Sequence, residues 1–123
     1  MNNHLTVLGQ SGEEEAARYL RKKGYRILDR NVRFPLGEID IVARQGGVIR
    51  FIEVRTRRGQ EGALRALESV DSRKQRRLVR LASWYLKERN LAGCRVRFDV
   101  VAVSFCGAAA SVTVIRDAFE ADA

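Results

Sequence analysis

Apolar positions recur along this chain with two different spacings, and together they predict a small set of helices alternating with strands. Ser11 opens the first helical stretch. Glu14 stands three residues on, as in a capping box, Glu13, Glu14 and Glu15 fill the first turn, and Gly24 follows Arg21-Lys22-Lys23 as a stop. Ala16, Ala17 and Leu20 form the apolar stripe of this helix, and Glu13 falls on the same inward side. That carboxylate either complements the helix dipole or belongs to a site. Residues 1–10 read as a flexible N-terminal arm, and residues 11–120 as a single domain.

Residues 25–32 alternate weakly, as a strand does, and Phe34-Pro35-Leu36-Gly37 carries turn chemistry, with Pro35 in the second position and Gly37 in the fourth. Residues 38–44 and 48–57 then form a hairpin about Gly46-Gly47. A short loop there pairs Gln45 with Val48, and the same register sets Ile41 against Ile52 and Ile39 against Val54 on one face. On the other face it sets Asp40 against Glu53 and Glu38 against Arg55. A bulge or an odd-length loop spoils that register.

Residues 58–70 read as a connection with a short helical turn over 63–67. Asp71 or Ser72 caps a long helix that runs to Leu91, with Gly93 past its end and Leu78, Leu81, Ala82 and Tyr85 on one face. Lys74, four residues before Leu78, belongs to that face. Residues 97–104 and 111–116 are two more strands joined near Gly107. Strands and helices in this order predict an α/β fold.

The composition narrows the chemistry. Apolar residues make up 46% and charged residues 31% of the 123, which is ordinary globular material and enough to bury a core. No apolar run approaches a membrane span, and the N-terminus lacks the pattern of a signal peptide, so the expected location is cytoplasmic. Cys94 and Cys106 have no metal-ligand spacing and read as reduced thiols. His4 is the sole histidine, which argues against a Ser/His/Asp triad or a zinc site. Chemistry here must run on carboxylates, Lys and Arg. The formal charge of +8 favours a phosphate polymer as partner over a membrane surface. No aromatic motif for stacking on bases is visible in the sequence.

Asp40 and Glu53 facing each other repel unless a cation lies between them. Mg²⁺ or Mn²⁺ suits two hard oxygen ligands, because such ions keep several waters and share phosphate oxygens with a substrate. Arg55 points to the same face and is able to grip a phosphate. The residues alone fit two arrangements, a cation site or a surface ladder of acids and bases.

GEID at 37–40, FIEVRTR at 51–57, SRKQRRL at 72–78 and RFDVVAV at 97–103, after GEEEAARYL, resemble the YraN family of small bacterial proteins. The resemblance spans about residues 9 to 120. That family is similar in turn to restriction-endonuclease-like enzymes with the PD-(D/E)xK signature, above all to archaeal Holliday junction resolvases. What the resemblance implies is a mixed central sheet flanked by helices and a nuclease-like domain acting on DNA, branched or structured DNA included. It implies Asp40 as the metal aspartate, Glu53 as the second acid, Arg55 in the place of the signature lysine and Glu13 as the resolvases' N-terminal helix acid. Arginine stays protonated and cannot act as a general base. Either the metal alone activates water, or Lys74 supplies the amine, or catalysis is lost and a nucleic-acid-binding accessory protein remains. Arg57, Arg58, Arg73, Arg76 and Arg77 flank the acidic hairpin as candidate phosphate contacts. Symmetric cleavage of a junction further implies a homodimer.

Overall fold

The structure, a computed structural model, describes residues 4–59 and 63–121. It is an α/β fold whose elements run α1 (His4–Lys22), β1 (Arg26–Phe34), β2 (Gly37–Gln45), β3 (Val48–Arg58), α2 (Ala63–Glu68), α3 (Ser72–Glu88), β4 (Arg95–Cys106) and β5 (Ala109–Phe119). The five strands lie in chain order in one sheet, antiparallel except where β3 meets β4. A parallel pair needs a crossover, and α2 and α3 supply it. This is the mixed sheet flanked by helices that the sequence implied.

Alternation along the central strands feeds two cores. Ile41, Ala43, Ile52, Val101 and Val103 pack under Ala16, Ala17 and Leu20 of α1. Val42, Ile49, Phe51 and Phe98 pack under Leu78, Leu81, Ala82 and Tyr85 of α3. A third cluster places Val100 and Ala102 of β4 against Ala66 and Val70 around α2. Burying such side chains contributes roughly 1.5–3 kcal/mol each, which is what holds both helices to the sheet. At Gly12 the helix α1 runs close against β3. A Cβ there would run into the Thr56 side chain, so the residue is small because the backbones are near.

Several boundaries differ from expectation. Helix α1 begins at His4, so residues 4–10, expected as a loose arm, are helical and Ser11 is an interior position, not a cap. No proline lies between His4 and Ser11, and although Gly9 weakens the stretch, extension adds one bond for each residue fixed. The predicted stop holds: Gly24 has φ 92°, and the Tyr25 N–H donates to the Leu20 carbonyl at 3.0 Å. Asp71 caps α3, its carboxylate accepting from the Lys74 N–H at 3.0 Å. That helix ends at Glu88, three residues before the predicted Leu91. Asn90 with φ 58° provides the left-handed residue there, ahead of Gly93.

Candidate metal centre

The β2–β3 ladder follows the predicted register from Gln45–Val48 to Ile41–Ile52 and ends there. One residue further, a side chain replaces the ladder. The Asp40 Oδ2 accepts a hydrogen bond from the Val54 N–H at 2.8 Å. Ile39 and Val54, expected as neighbours, part company: Ile39 packs under α3 and Val54 under α1. The alternation of β2 therefore reverses between Ile39 and Ile41. Strand β1 is distorted alongside, where Asn31 adopts φ 52°, a conformation Asn tolerates better than most residues. The two strands thus diverge where the acids stand.

Glu38 does not pair with Arg55. It faces Arg33 across β1–β2, with the Arg33 Nε 3.7 Å from its Oε2. Arg55 turns instead to Glu53 on its own strand, the Nη2 3.2 Å from the Oε2, and its buried Nε has no hydrogen-bond partner. Glu13 enters from α1, and its Oε1 accepts from the Asn31 Nδ2 at 2.7 Å. Glu13 and Asn31 also line an open cleft of about 400 Å³ together with Glu14 and Arg30. Lys74, half-buried on α3, donates from Nζ to the Ser69 carbonyl at 3.1 Å.

The electrostatics show how closely these groups converge. Burial first, and then the Glu53 carboxylate, push the Asp40 carboxyl up from its ordinary 3.8 to about 8, with Glu13 and Glu38 adding to the rise and the Val54 N–H opposing it. Burial also raises Glu53, against the pull of Arg55, Arg77 and Lys74. Two carboxylates that resist ionising side by side, chiefly because they are withdrawn from water and, for Asp40, because Glu53 is its neighbour, form a site that a bound cation would relieve. Among the described residues no three Asp, Glu, His or Cys side chains form a closed metal cage. A two-carboxylate site fits Mg²⁺ or Mn²⁺ better than zinc, since those ions keep waters in their shell.

Asp40, Glu53, Arg55 and Lys74, proposed from hairpin and helix spacing, therefore share one electrostatic neighbourhood, and Glu13 joins it. Arg77 belongs here as well: a Cβ on Gly37, at the start of β2, would lie 3.6 Å from its side chain. The other arginines spread further. Arg57 and Arg58 end β3, and Arg57 Nη1 donates to the Thr56 carbonyl at 3.1 Å. Arg73 is exposed on α3, and Arg76 lines a separate cleft beside Glu120. Asn31 and the Val54 N–H were invisible in the sequence, apart from the occurrence of an Asn inside a predicted strand.

Among the described residues no helix is long and apolar enough to cross a membrane. Residues 12–103 match the model of the uncharacterised protein family UPF0102. A UPF0102 protein of Moorella thermoacetica is 58% identical over 113 residues, covering 90% of this chain and 93% of its own. One from Syntrophotalea carbinolica is 49% identical over 115 residues, with 94% and 93% covered, and one from Desulfosudis oleivorans is 45% identical over 122 residues, with 99% and 97% covered. The resemblance to the YraN family is thereby borne out, and the chain belongs to UPF0102.

Proposed function

We propose that this protein is a Mg²⁺- or Mn²⁺-dependent endonuclease-like phosphodiesterase acting on DNA, branched or structured DNA in particular. The observation that carries this reading is the half-buried Asp40–Glu53 pair at the divergence of β2 and β3, with Arg55, Lys74 and Arg77 around Glu53. Asp40 and Glu53 would hold the ion, which when bound polarises phosphate oxygens and eases deprotonation of water. The Val54 N–H keeps the Asp40 carboxylate oriented. Arg55, half-buried, and Arg77, exposed, stabilise negative charge as it builds on the phosphate, and a guanidinium does this without giving up its proton. Lys74 adds a further positive charge from α3 beside Glu53. Glu13, tied to Asn31, adds negative charge from the α1 side and favours cation occupancy.

The test is incubation with four-way junctions, flaps and linear duplexes, with and without Mn²⁺. Cleavage that requires the ion and is absent from Asp40→Ala is expected, and metal-independent cleavage equal in both proteins would overturn the reading. Cutting both strands of a junction calls for two copies of the site, hence a homodimer on DNA, which light scattering of the complex checks. Affinity for DNA should also fall with salt. If Arg57, Arg58, Arg73, Arg76 and Arg77 each neutralise a phosphate, the log–log slope is about −4 to −5, and a flat response contradicts their assignment.

The Arg55–Glu53 ion pair favours a second reading, a nucleic-acid-binding accessory protein with weakened chemistry, because the guanidinium occupies one carboxylate oxygen. Arg55→Lys separates the two. In a weakened enzyme the compact ammonium releases Glu53 and should raise the cleavage rate roughly tenfold or more, as one improved transition-state contact does. If Lys74 already supplies the amine, Arg55→Lys changes little and Lys74→Ala abolishes cleavage. No cleavage by any of these proteins, together with salt-sensitive binding, leaves the accessory role.

A further inference from the structure

Helix α3 carries, alongside its buried face, Arg73, Arg77, Arg80, Trp84 and Lys87, in steps of four, three, four and three residues. That spacing aligns them in one stripe, and all five are exposed. The stripe passes the carboxylates at Arg77, which lies near Gly37 at the start of β2 and acts on Glu53. It ends at an aromatic patch. Trp84 is 37% exposed and leans on Phe34, the last residue of β1, with ring centroids 5.7 Å apart and planes tilted by 57°. Phe34, Pro35, Trp84, Lys87 and Glu88 line an open cleft of about 410 Å³. Leu36, 38% exposed, stands in the same turn.

We infer that this cleft docks an unpaired nucleobase and that the arginine stripe carries the attached strand towards the Asp40–Glu53 site. The inference rests on the nucleic-acid reading above and narrows the substrate to DNA with single-stranded nucleotides near the cut. Charge complementarity selects the occupant. An aromatic face reached along a row of arginines combines the two features that hold single strands, stacking on the base and attraction for the phosphates. Glu88 is the one acid on the rim and lies at the far end of the helix from the carboxylate pair. Seven residues separate Arg77 from Trp84, about 10 Å along the axis, so the docked base should lie within a few nucleotides of the scissile phosphate.

Trp84 is the sole tryptophan, so its fluorescence reports on this cleft alone. A twelve-nucleotide oligo(dT), titrated into the full chain with chelator present to prevent cleavage, should quench that emission. Labelled-oligonucleotide anisotropy should show Trp84→Ala binding the single strand roughly tenfold to a hundredfold more weakly, while blunt duplex binding stays within about twofold. Trp84→Phe should retain most of the affinity. It keeps the test decisive if the alanine variant melts early, because equal single-strand and duplex losses in the phenylalanine protein would also reject the cleft. Saturating oligonucleotide binding without quenching, or unchanged affinity in Trp84→Ala, overturns the inference and leaves the metal-site reading standing. Emission that depends on protein concentration, with a dimer in sedimentation and no response to DNA, would show a second copy covering the patch and also overturns it. If neither single strand nor duplex binds, the nucleic-acid reading has failed as well.

Discussion

Asp40→Asn is expected to melt above the parent at pH 9 in chelator, by about 2 kcal/mol or roughly 5–10 °C, and to lose the parent's stabilisation by Mn²⁺. In the parent, burial and the neighbouring acids hold the Asp40 carboxyl at about 8 against an ordinary 3.8. A folded-state value above the unfolded one contributes stability that is complete below about pH 4 and lost as pH rises through about 8. Without a cation the parent should therefore weaken across this window. Asparagine carries no charge, and its amide oxygen still accepts the Val54 N–H, so the variant escapes the loss without breaking the local structure. Mn²⁺ at a hundred times its Kd should return about 2.7 kcal/mol to the parent and nothing to the variant. A variant no more stable than the parent at pH 9, or one equally stabilised by the ion, contradicts the account.

Asp99→Ala is expected to lose about 3–5 kcal/mol, a large part of the 5–15 kcal/mol that domains of this size possess. Asp99 is fully buried in β4, and the Arg50 Nη1 on β3 reaches its Oδ1 at 2.9 Å and its Oδ2 at 3.2 Å. The Asp117 N–H donates to the same Oδ1 at 2.8 Å, from a residue held at φ 53°. Removing the carboxylate strands a buried guanidinium and a backbone N–H together, leaving Arg50 to the exposed Asp117 carboxylate 3.2 Å away. Replacing both partners at once, as Arg50→Met with Asp99→Leu, should recover most of the loss because no unpaired charge remains. Denaturant unfolding measures both, and a single variant within about 1 kcal/mol of the parent would mean that the pair is not holding the sheet.

These two acids show what could be read from the chain and what could not. Asp40 and Glu53 were legible together because a hairpin register is set by its turn and by the apolar pattern, and the observed ladder keeps that register up to Ile41–Ile52. The break beyond it was not legible. A carboxylate that takes a strand's N–H, and an Asn that turns left-handed beside it, are side-chain contests that periodicity does not register. Asp99 stands in RFDVVAV much as Asp40 stands in GEID, yet its role depends on Arg50, 49 residues away in the chain. Spacing carries no trace of such a partner. Phe34 and Trp84 are likewise joined only by the packing of the first hairpin against α3. The helices were read well in their interiors and less well at their ends: at Ser11 the helix continued towards the N-terminus, and before Leu91 it was stopped by the left-handed Asn90.

The account stands on a divalent ion held by Asp40 and Glu53. Titration calorimetry of Mn²⁺ at pH 7.5, repeated in two buffers of different ionisation enthalpy, tests it most directly. A carboxyl held protonated to about pH 8 must give up its proton when the ion arrives. The predicted result is one binding event in the parent with net proton release, and no heat of binding in Asp40→Asn. Binding of equal affinity and stoichiometry in both proteins would contradict it.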